Sequence, residues 1–343
     1  MTNAFIAGVA GEALSPAEAS FLRSAAPAGL ILFARNCVAH DQIRRLVGDV
    51  REAVGGDGLL VLIDQEGGRV QRLRPPLGRA LPAAEAYATL YGEDPALAQE
   101  AAFHAARLLA DDLTALGINT DCAPVLDLPV PGAHGIIGDR AYGCEAGQVA
   151  ALARSVAEGL MAGGVLPVVK HIPGHGRATA DSHFELPVVT EPHALLSATD
   201  FAPFKALRDM PAAMTAHVVF ADIDGAAPAS TSARVTGEVI RGEIGFDGLL
   251  MSDDLSMKAL SGSFAERTRA VLAAGSDLAL HCNGVLAEME AVAGAAPALS
   301  GEALRRFHAA LAVLGRREPY DSAKAEMQLA LALGTGGRHT ESV

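Results

Sequence analysis

Apolar residues gather along this chain into short, near-continuous runs, separated by longer stretches in which they recur every three or four positions. The runs are AFIAGVA (4–10), GLILFA (29–34), GLLVLID (58–64), INTDCAPVLDL (118–128), VLPVVKH (165–171), PAAMTAHVVF (211–220), GLLMSDD (248–254) and SDLALHCN (276–283). Runs this short, with few polar interruptions, suit strands buried on both faces of a parallel sheet. The stretches between them read as amphipathic helices. SPAEASFLRSAA opens with Ser15 as N-cap, Pro16 in the first helical position and Glu18 in the first turn. DQIRRLVGDVREAV sets Ile43, Leu46, Val47 and Val50 on one stripe. LAQEAAFHAARLLADDLTALG stops at Gly117. EAGQVAALARSVAEGLMAGG, ATDFAPFKALRD, SARVTGEVIRGEIG, SFAERTRAVLAAG and VLAEMEAVAGAA continue the alternation. Eight strand–helix units predict an α/β protein folded as a single (β/α)8 TIM-type barrel over residues 1–330. A doubly wound open sheet is the alternative, disfavoured because no G-x-G-x-x-G turn follows the first run. The closing LGTGGRHTESV predicts a flexible tail, placed at 331–343.

Composition narrows the picture without changing it. A net charge of −13 over 343 residues, with no basic block, argues against nucleic acid or an anionic membrane as partner. The N-terminus lacks the basic and apolar segments of a signal peptide, and no apolar run approaches a membrane span. The four cysteines, Cys37, Cys122, Cys144 and Cys282, are scattered with no C-x-x-C pair. They read as free thiols of a reducing compartment, so a cytoplasmic protein is expected.

The candidate chemistry falls at one end of the runs. The third run ends at Asp64, the fifth at Lys170 and His171, the sixth at His217, the seventh at Asp253 and Asp254, and the eighth at His281 and Asn283. The opposite ends hold Gly, Ala and Pro. Active residues of a barrel sit at the C-terminal ends of its strands, so this asymmetry predicts an enzyme. Adjacent strand residues point to opposite faces, which puts one of Asp253 and Asp254 into the barrel mouth without saying which. After Asp64 the segment QEGGRVQRL makes a Gly-Gly turn, and Arg72 can return to the mouth and grip oxygens in a fixed fork.

KHIPGHGRATADSHFELP (170–187) then leaves the fifth strand over the mouth. Within it Asp181 and His183 are two apart in an extended stretch, so their side chains can share a face. A carboxylate beside an imidazole fixes its tautomer and raises its basicity, which suits a proton donor that later acts as a base. His175, between two glycines, reads as serving the loop's own fold. A metal set of His171, His175, His183 and Asp253 is the competing reading. Its i, i+4 histidines would need a helix, which Pro173, Gly174 and Gly176 oppose, and neither metal nor cofactor is expected.

These motifs, with LIDQEGGRVQRL, GDRAYG (138–143) and GLLMSDDLSM (248–257), resemble family 3 glycoside hydrolases, and more narrowly the single-domain bacterial β-N-acetylglucosaminidases of peptidoglycan recycling. The resemblance covers nearly the whole chain in the same motif order. It implies a retaining double displacement with Asp253 as nucleophile, His183 as proton donor and Asp181 behind it. It implies sugar binding by Asp64, Arg72, Arg140, Lys170 and His171. The substrate it implies is a small molecule, GlcNAc β-1,4-linked to anhydro-N-acetylmuramic acid with or without peptide, and a monomer is expected. An imidazole donor does not repel an anionic acceptor, so phosphate is expected to compete with water; absence of any sugar 1-phosphate from reactions run in phosphate would refute this. The other readings are a β-glucosidase or other exo-glycosidase on the same barrel, a substrate-assisted mechanism through the acetamide oxygen, and a non-catalytic sugar-binding barrel.

Overall fold

The computed structural model describes residues 1–56, 58–178, 180–182 and 185–334. Each of the eight apolar runs contributes a strand. They are β1 (Asn3–Gly8), β2 (Pro27–Leu32), β3 (Leu60–Ile63), β4 (Thr120–Asp121), β5 in two pieces (Leu166–Pro167 and Val169–Ile172), β6 (Ala212–Thr215), β7 (Leu249–Met251) and β8 (Ala279–Leu280). Neighbours pair in parallel in chain order: Leu30 opposite Val61, Leu62 opposite Thr120, Thr120 opposite Leu166, Met214 opposite Lys170 and Ala213 opposite Leu250. A bridge from Met251 to Leu278 joins β7 to β8, and Phe5 opposite Ala279 returns the sheet to β1. The sheet is therefore closed, and the fold is the expected TIM-type barrel.

The period-2 alternation of the strands sorts their side chains into two cores. Ala4, Ile6, Ile31, Leu60, Leu62, Leu249 and Leu278 pack inside the barrel, whereas Phe5, Ala7, Leu30, Leu32, Val61 and Ile63 meet the helices outside. Complete burial of each larger aliphatic contributes roughly 1.5–3 kcal/mol, so neither face of these runs can be exposed cheaply. The first helix, Pro16–Ala25, starts as expected. The Ser15 hydroxyl accepts from the Glu18 N–H at 3.2 Å, and the Glu18 carboxylate accepts from the Ser15 N–H at 2.9 Å. Helix His40–Val54 buries the stripe Ile43, Leu46, Val47 and Val50.

Where the alternation left gaps, the structure adds helices at Ala84–Glu93, Gly301–Leu311 and Ser322–Ala332. The second of these sets Phe307 and Ala310 against the barrel interior. It follows a segment bonded to the start of β1, through Leu299 N–H to Thr2 O and Ala4 N–H to Pro297 O. This plugs the N-terminal end of the barrel and leaves the C-terminal end for the site. ATDFAPFKALRD, read as one helix, forms only the short Ala202–Ala206, preceded by a separate turn of helix at His193–Ala198. Pro203 fits that break, because a proline without an N–H is tolerated in a first turn and not further along. SARVTGEVIRGEIG winds as a π-helix over Val235–Glu243. The expected tail, from residue 335 onward, lies outside the described residues.

All four cysteines are free, and no helix among the described residues is long and apolar enough to cross a membrane.

Candidate active site

Polar side chains from the C-terminal ends of the strands converge on one cavity of about 200 Å³, with Ile31, Phe33, Met214, Met257 and Leu280 as its apolar lining. Asp64, Arg72, Arg140, Lys170, His171 and Asp253 all line it, so six of the eight residues given a role by the resemblance come together. Of the other two, Asp181 is not part of that lining; its backbone carbonyl accepts from the Glu185 N–H at 3.1 Å. His183 lies outside the described residues.

One wall of the cavity is a ladder of alternating charge. Arg72 donates to Asp64 Oδ2 at 3.0 Å, and Lys170 Nζ donates to Asp64 Oδ1 at 2.9 Å. The same ammonium lies 2.6 Å from Glu66 Oε1, and Arg140 forks onto both oxygens of Glu66 at 2.8 Å each. Burial alone would raise both carboxyls, but the cations outweigh it. Lys170 and Arg72 hold Asp64 well below the usual carboxylate range, and Lys170 and Arg140 pull Glu66 down to about 2. For Lys170, burial would lower the pKa, but Asp64 and Glu66 drive it up.

The return of Arg72 has a local cause. Gln65–Gly67 and Val70–Gln71 form a small antiparallel hairpin. The buried Gln65 side chain ties it by accepting from the Arg72 and Leu73 N–H groups at 2.8 and 3.0 Å and donating to Leu73 O at 2.8 Å. Gly67 sits at φ 104°, and a Cβ there would lie 2.2 Å from Pro82 O, so only glycine fits this turn. The Arg72 guanidinium then comes to rest 5.0 Å from the centre of the Phe33 ring.

Strand alternation predicts only one of Asp253 and Asp254 in the mouth; both line the cavity, because they lie past the end of β7 at Met251, and what separates them is their surroundings. Asp254 is tied into the loops after β7 and β8. Its Oδ1 accepts from the Ser256 and Cys282 N–H groups at 3.0 Å each, and the Ser256 hydroxyl donates to its other oxygen. Burial would raise its pKa, but His281, Ser256 and Cys282 bring it below normal. Asp253, among the described residues, takes a hydrogen bond only from the Asp254 N–H, at 2.8 Å, and no cation pairs with it.

The root of loop 170–187 is built around Asp127, a buried residue at the end of the fourth run. Its carboxylate accepts from His171 Nδ1 at 2.7 Å, from the His171 N–H at 3.3 Å and from the His175 N–H at 2.7 Å. Gly176 packs so tightly on the fourth strand's exit that a Cβ would stand 1.9 Å from Leu128 O. The His175 ring meets the Ser182 hydroxyl at 3.1 Å, and burial, with His171 close by, lowers its pKa to about 4. Ser182 O accepts from Ala259 N–H at 3.3 Å, which ties this loop to the one after β7.

His217 and His281 are fully buried away from the cavity. The first engages Ser230 Oγ at 2.7 Å and Asp254 O at 3.1 Å, and the second Glu288 at 3.0 Å. Among the described residues no three His, Cys, Asp or Glu side chains are grouped to hold a metal ion.

Sequence reasoning missed Glu66 and Asp127. Glu66 had a usable signal: it stands two residues from Asp64 in an extended segment and so shares its face. Asp127 stands one residue before the end of the fourth run, much as Asp64 ends the third, but the length of that run, broken by Pro124, hid where the strand stops.

The profile of the Glycosyl hydrolase family 3 N terminal domain matches residues 8–312. The chain is 40% identical over 305 residues to the beta-hexosaminidase of Bordetella pertussis, covering 87% of this chain and 86% of that one. To the beta-hexosaminidase of Alkalilimnicola ehrlichii it is 41% identical over 280 residues, covering 80% and 79%. Its structure is similar to that of NagZ from Neisseria gonorrhoeae in complex with N-trifluoroacetyl-D-glucosamine, with a TM-score of 0.86, 31% identity and 98% of both chains covered. It is also similar to the Beta-N-acetylhexosaminidase from Beutenbergia cavernae, with a TM-score of 0.74, 28% identity and 96% of both chains covered.

Proposed function

The chain belongs to glycosyl hydrolase family 3 and is a glycosidase of the β-N-acetylhexosaminidase type, and from that premise we propose that it is an exo-acting, retaining β-N-acetylglucosaminidase. Its substrates are cell-wall muropeptides and disaccharides bearing a non-reducing terminal GlcNAc β-1,4-linked to anhydro-N-acetylmuramic acid. One observation carries the mechanism. Among the described residues, four carboxylates line the cavity: Asp64 and Glu66 are neutralised by buried cations and Asp254 is bound to loop N–H and O–H donors, whereas no described cation pairs with Asp253. A nucleophile needs an available lone pair and a negative charge that the positive anomeric centre of the transition state can use.

In the first step Asp253 attacks C1 while His183, backed by Asp181, protonates the departing glycosidic oxygen. In the second, the imidazole removes a proton from water, which displaces Asp253 with net retention. Asp64, held ionised, chelates sugar hydroxyls. Lys170, Arg72, Arg140 and His171 donate to or accept from the remaining hydroxyls and the N-acetyl group. The N-acylated glucosamine held by the gonococcal relative supports a 2-acylamino sugar in this cavity. A monomer is the form we propose acts, and the four free thiols fit a cytoplasmic location.

The test is trapping with a 5-fluoro N-acetylglucosaminyl fluoride, which keeps the acetamido group, followed by peptide mapping. An adduct on Asp253 is expected; turnover with retained configuration and no adduct would instead favour acetamide participation. A 4-nitrophenyl glucoside hydrolysed faster than the GlcNAc glycoside would replace the substrate assignment with a β-glucosidase. Binding of GlcNAc without turnover of either would leave a sugar-binding barrel.

A further inference from the structure

We propose that Asp127 is a positioning residue that sets the tautomer of His171, so that the imidazole presents a bare Nε2 to the bound sugar. The proposal rests on the sugar-binding role given to His171 above. Asp127 is fully buried, at 0% exposure, and comes from the fourth strand's exit, whereas both histidines it bonds come from the fifth. A buried carboxylate is stable only when its lone pairs are met by donors. Here the two oxygens divide the work. Oδ1 takes the backbone N–H groups of His171 and His175, at 3.3 and 2.7 Å, and Oδ2 takes His171 Nδ1 at 2.7 Å. Burial would raise the pKa of this carboxyl, but the neighbouring histidines and the His175 N–H lower it, so near neutrality it is an acceptor only.

The ring nitrogen facing it must therefore carry the hydrogen. With Nδ1 committed to Asp127, the ring edge left for the cavity carries Nε2, and in the neutral imidazole Nε2 is an acceptor for a sugar hydroxyl. An aspartate needed only to hold the loop root would be served by Oδ1 alone. The Oδ2 bond adds a chemical polarity that the backbone bonds do not supply.

Asp127→Asn separates these two jobs. Its amide oxygen can keep both backbone N–H groups, but its NH2 then faces Nδ1, and the imidazole answers by moving its hydrogen to Nε2. The shape is kept and the donor sense toward the sugar is inverted, a change that in a hydrolytic triad can cost up to ~10⁴-fold in rate. Here, where His171 binds and does not transfer the reacting proton, a loss in kcat/KM of about 10–100-fold is expected, by analogy with the range for carboxylates that orient metal-ligating histidines.

The experiment has two readouts. Long-range ¹⁵N–¹H spectra of histidine-labelled wild type, with His171 assigned by His171→Gln, are expected to show hydrogen on Nδ1 and none on Nε2, and the reverse in Asp127→Asn. Aryl β-GlcNAc and analogues lacking the acetamido, 3-, 4- or 6-hydroxyl group in turn are then compared in both enzymes. The penalty of Asp127→Asn should shrink to within about threefold for the one analogue missing the group that meets Nε2. A wild-type Nε2–H, or an equal penalty on every analogue, overturns the proposal. If Asp127→Asn does not fold, the wild-type spectrum decides alone. That spectrum needs no turnover, so a wild type inactive on GlcNAc substrates would sink the proposed function and leave the tautomer still readable.

Discussion

On the side of the cavity built by β3 and β5, five charged groups alternate along one connected chain, Arg72–Asp64–Lys170–Glu66–Arg140. On the side built by β7, Asp253 faces the same space, and among the described residues only the next residue's N–H is bonded to it. The first arrangement holds its carboxylates ionised by spending their lone pairs on fixed cations, which makes a rigid template for hydroxyl groups. The second keeps a carboxylate available. Binding and bond-making want opposite treatments of the same functional group, and the barrel separates them by strand.

The largest effect comes from removing the available carboxylate. Asp253→Ala is expected to lower kcat by about 10⁴-fold or more while the affinity for GlcNAc, read by calorimetry, changes little. Comparable turnover by this variant would abolish the distinction between the two sides.

Glu66→Gln attacks the other side. It leaves Lys170 and Arg140 short of a negative partner in a buried setting, and a stability loss of about 3–5 kcal/mol is expected from denaturant titration at neutral pH. A variant as stable as the wild type would show that the ladder is dispensable.

Acid sharpens the same point. Glu66 is lowered from 4.5 to about 2 in the folded protein, so its contribution is present above the unfolded value and lost as pH falls through the folded one. The stability gap between wild type and Glu66→Gln should therefore narrow between about pH 4.5 and 2, by roughly 3 kcal/mol at the conversion of 1.36 kcal/mol per pKa unit. A gap constant over that range would mean that the shift is absent.

The smallest effect is the surface control. Arg154 and Asp209 pair at 2.8 Å with side chains 35% and 59% exposed. Arg154→Ala should cost no more than about 1 kcal/mol, because water screens what the barrel interior does not.

Much of this was legible before any coordinates. Strand positions followed from apolar runs, the functional end followed from where those runs turned polar, and the motif order pointed to the family. Helices Ala84–Glu93 and Gly301–Leu311 escaped because each is an extra helix beside the one that the strand–helix alternation assigns to its unit. Glu66 escaped because its chemistry depends on partners at a distance: Arg140 is 74 positions along the chain from it.

The sequence by itself determined the closed ring and the end of it that bears the chemistry, because residue alternation and polar run ends are local properties that survive any rearrangement of neighbours. Only the tertiary structure decided which carboxylates are matched by cations, that Asp254 is bound into the loops while Asp253 is left to the cavity, and that Asp127 meets His171. Those pairings form when strands distant in sequence are brought edge to edge, and no periodicity along the chain encodes the distance between them.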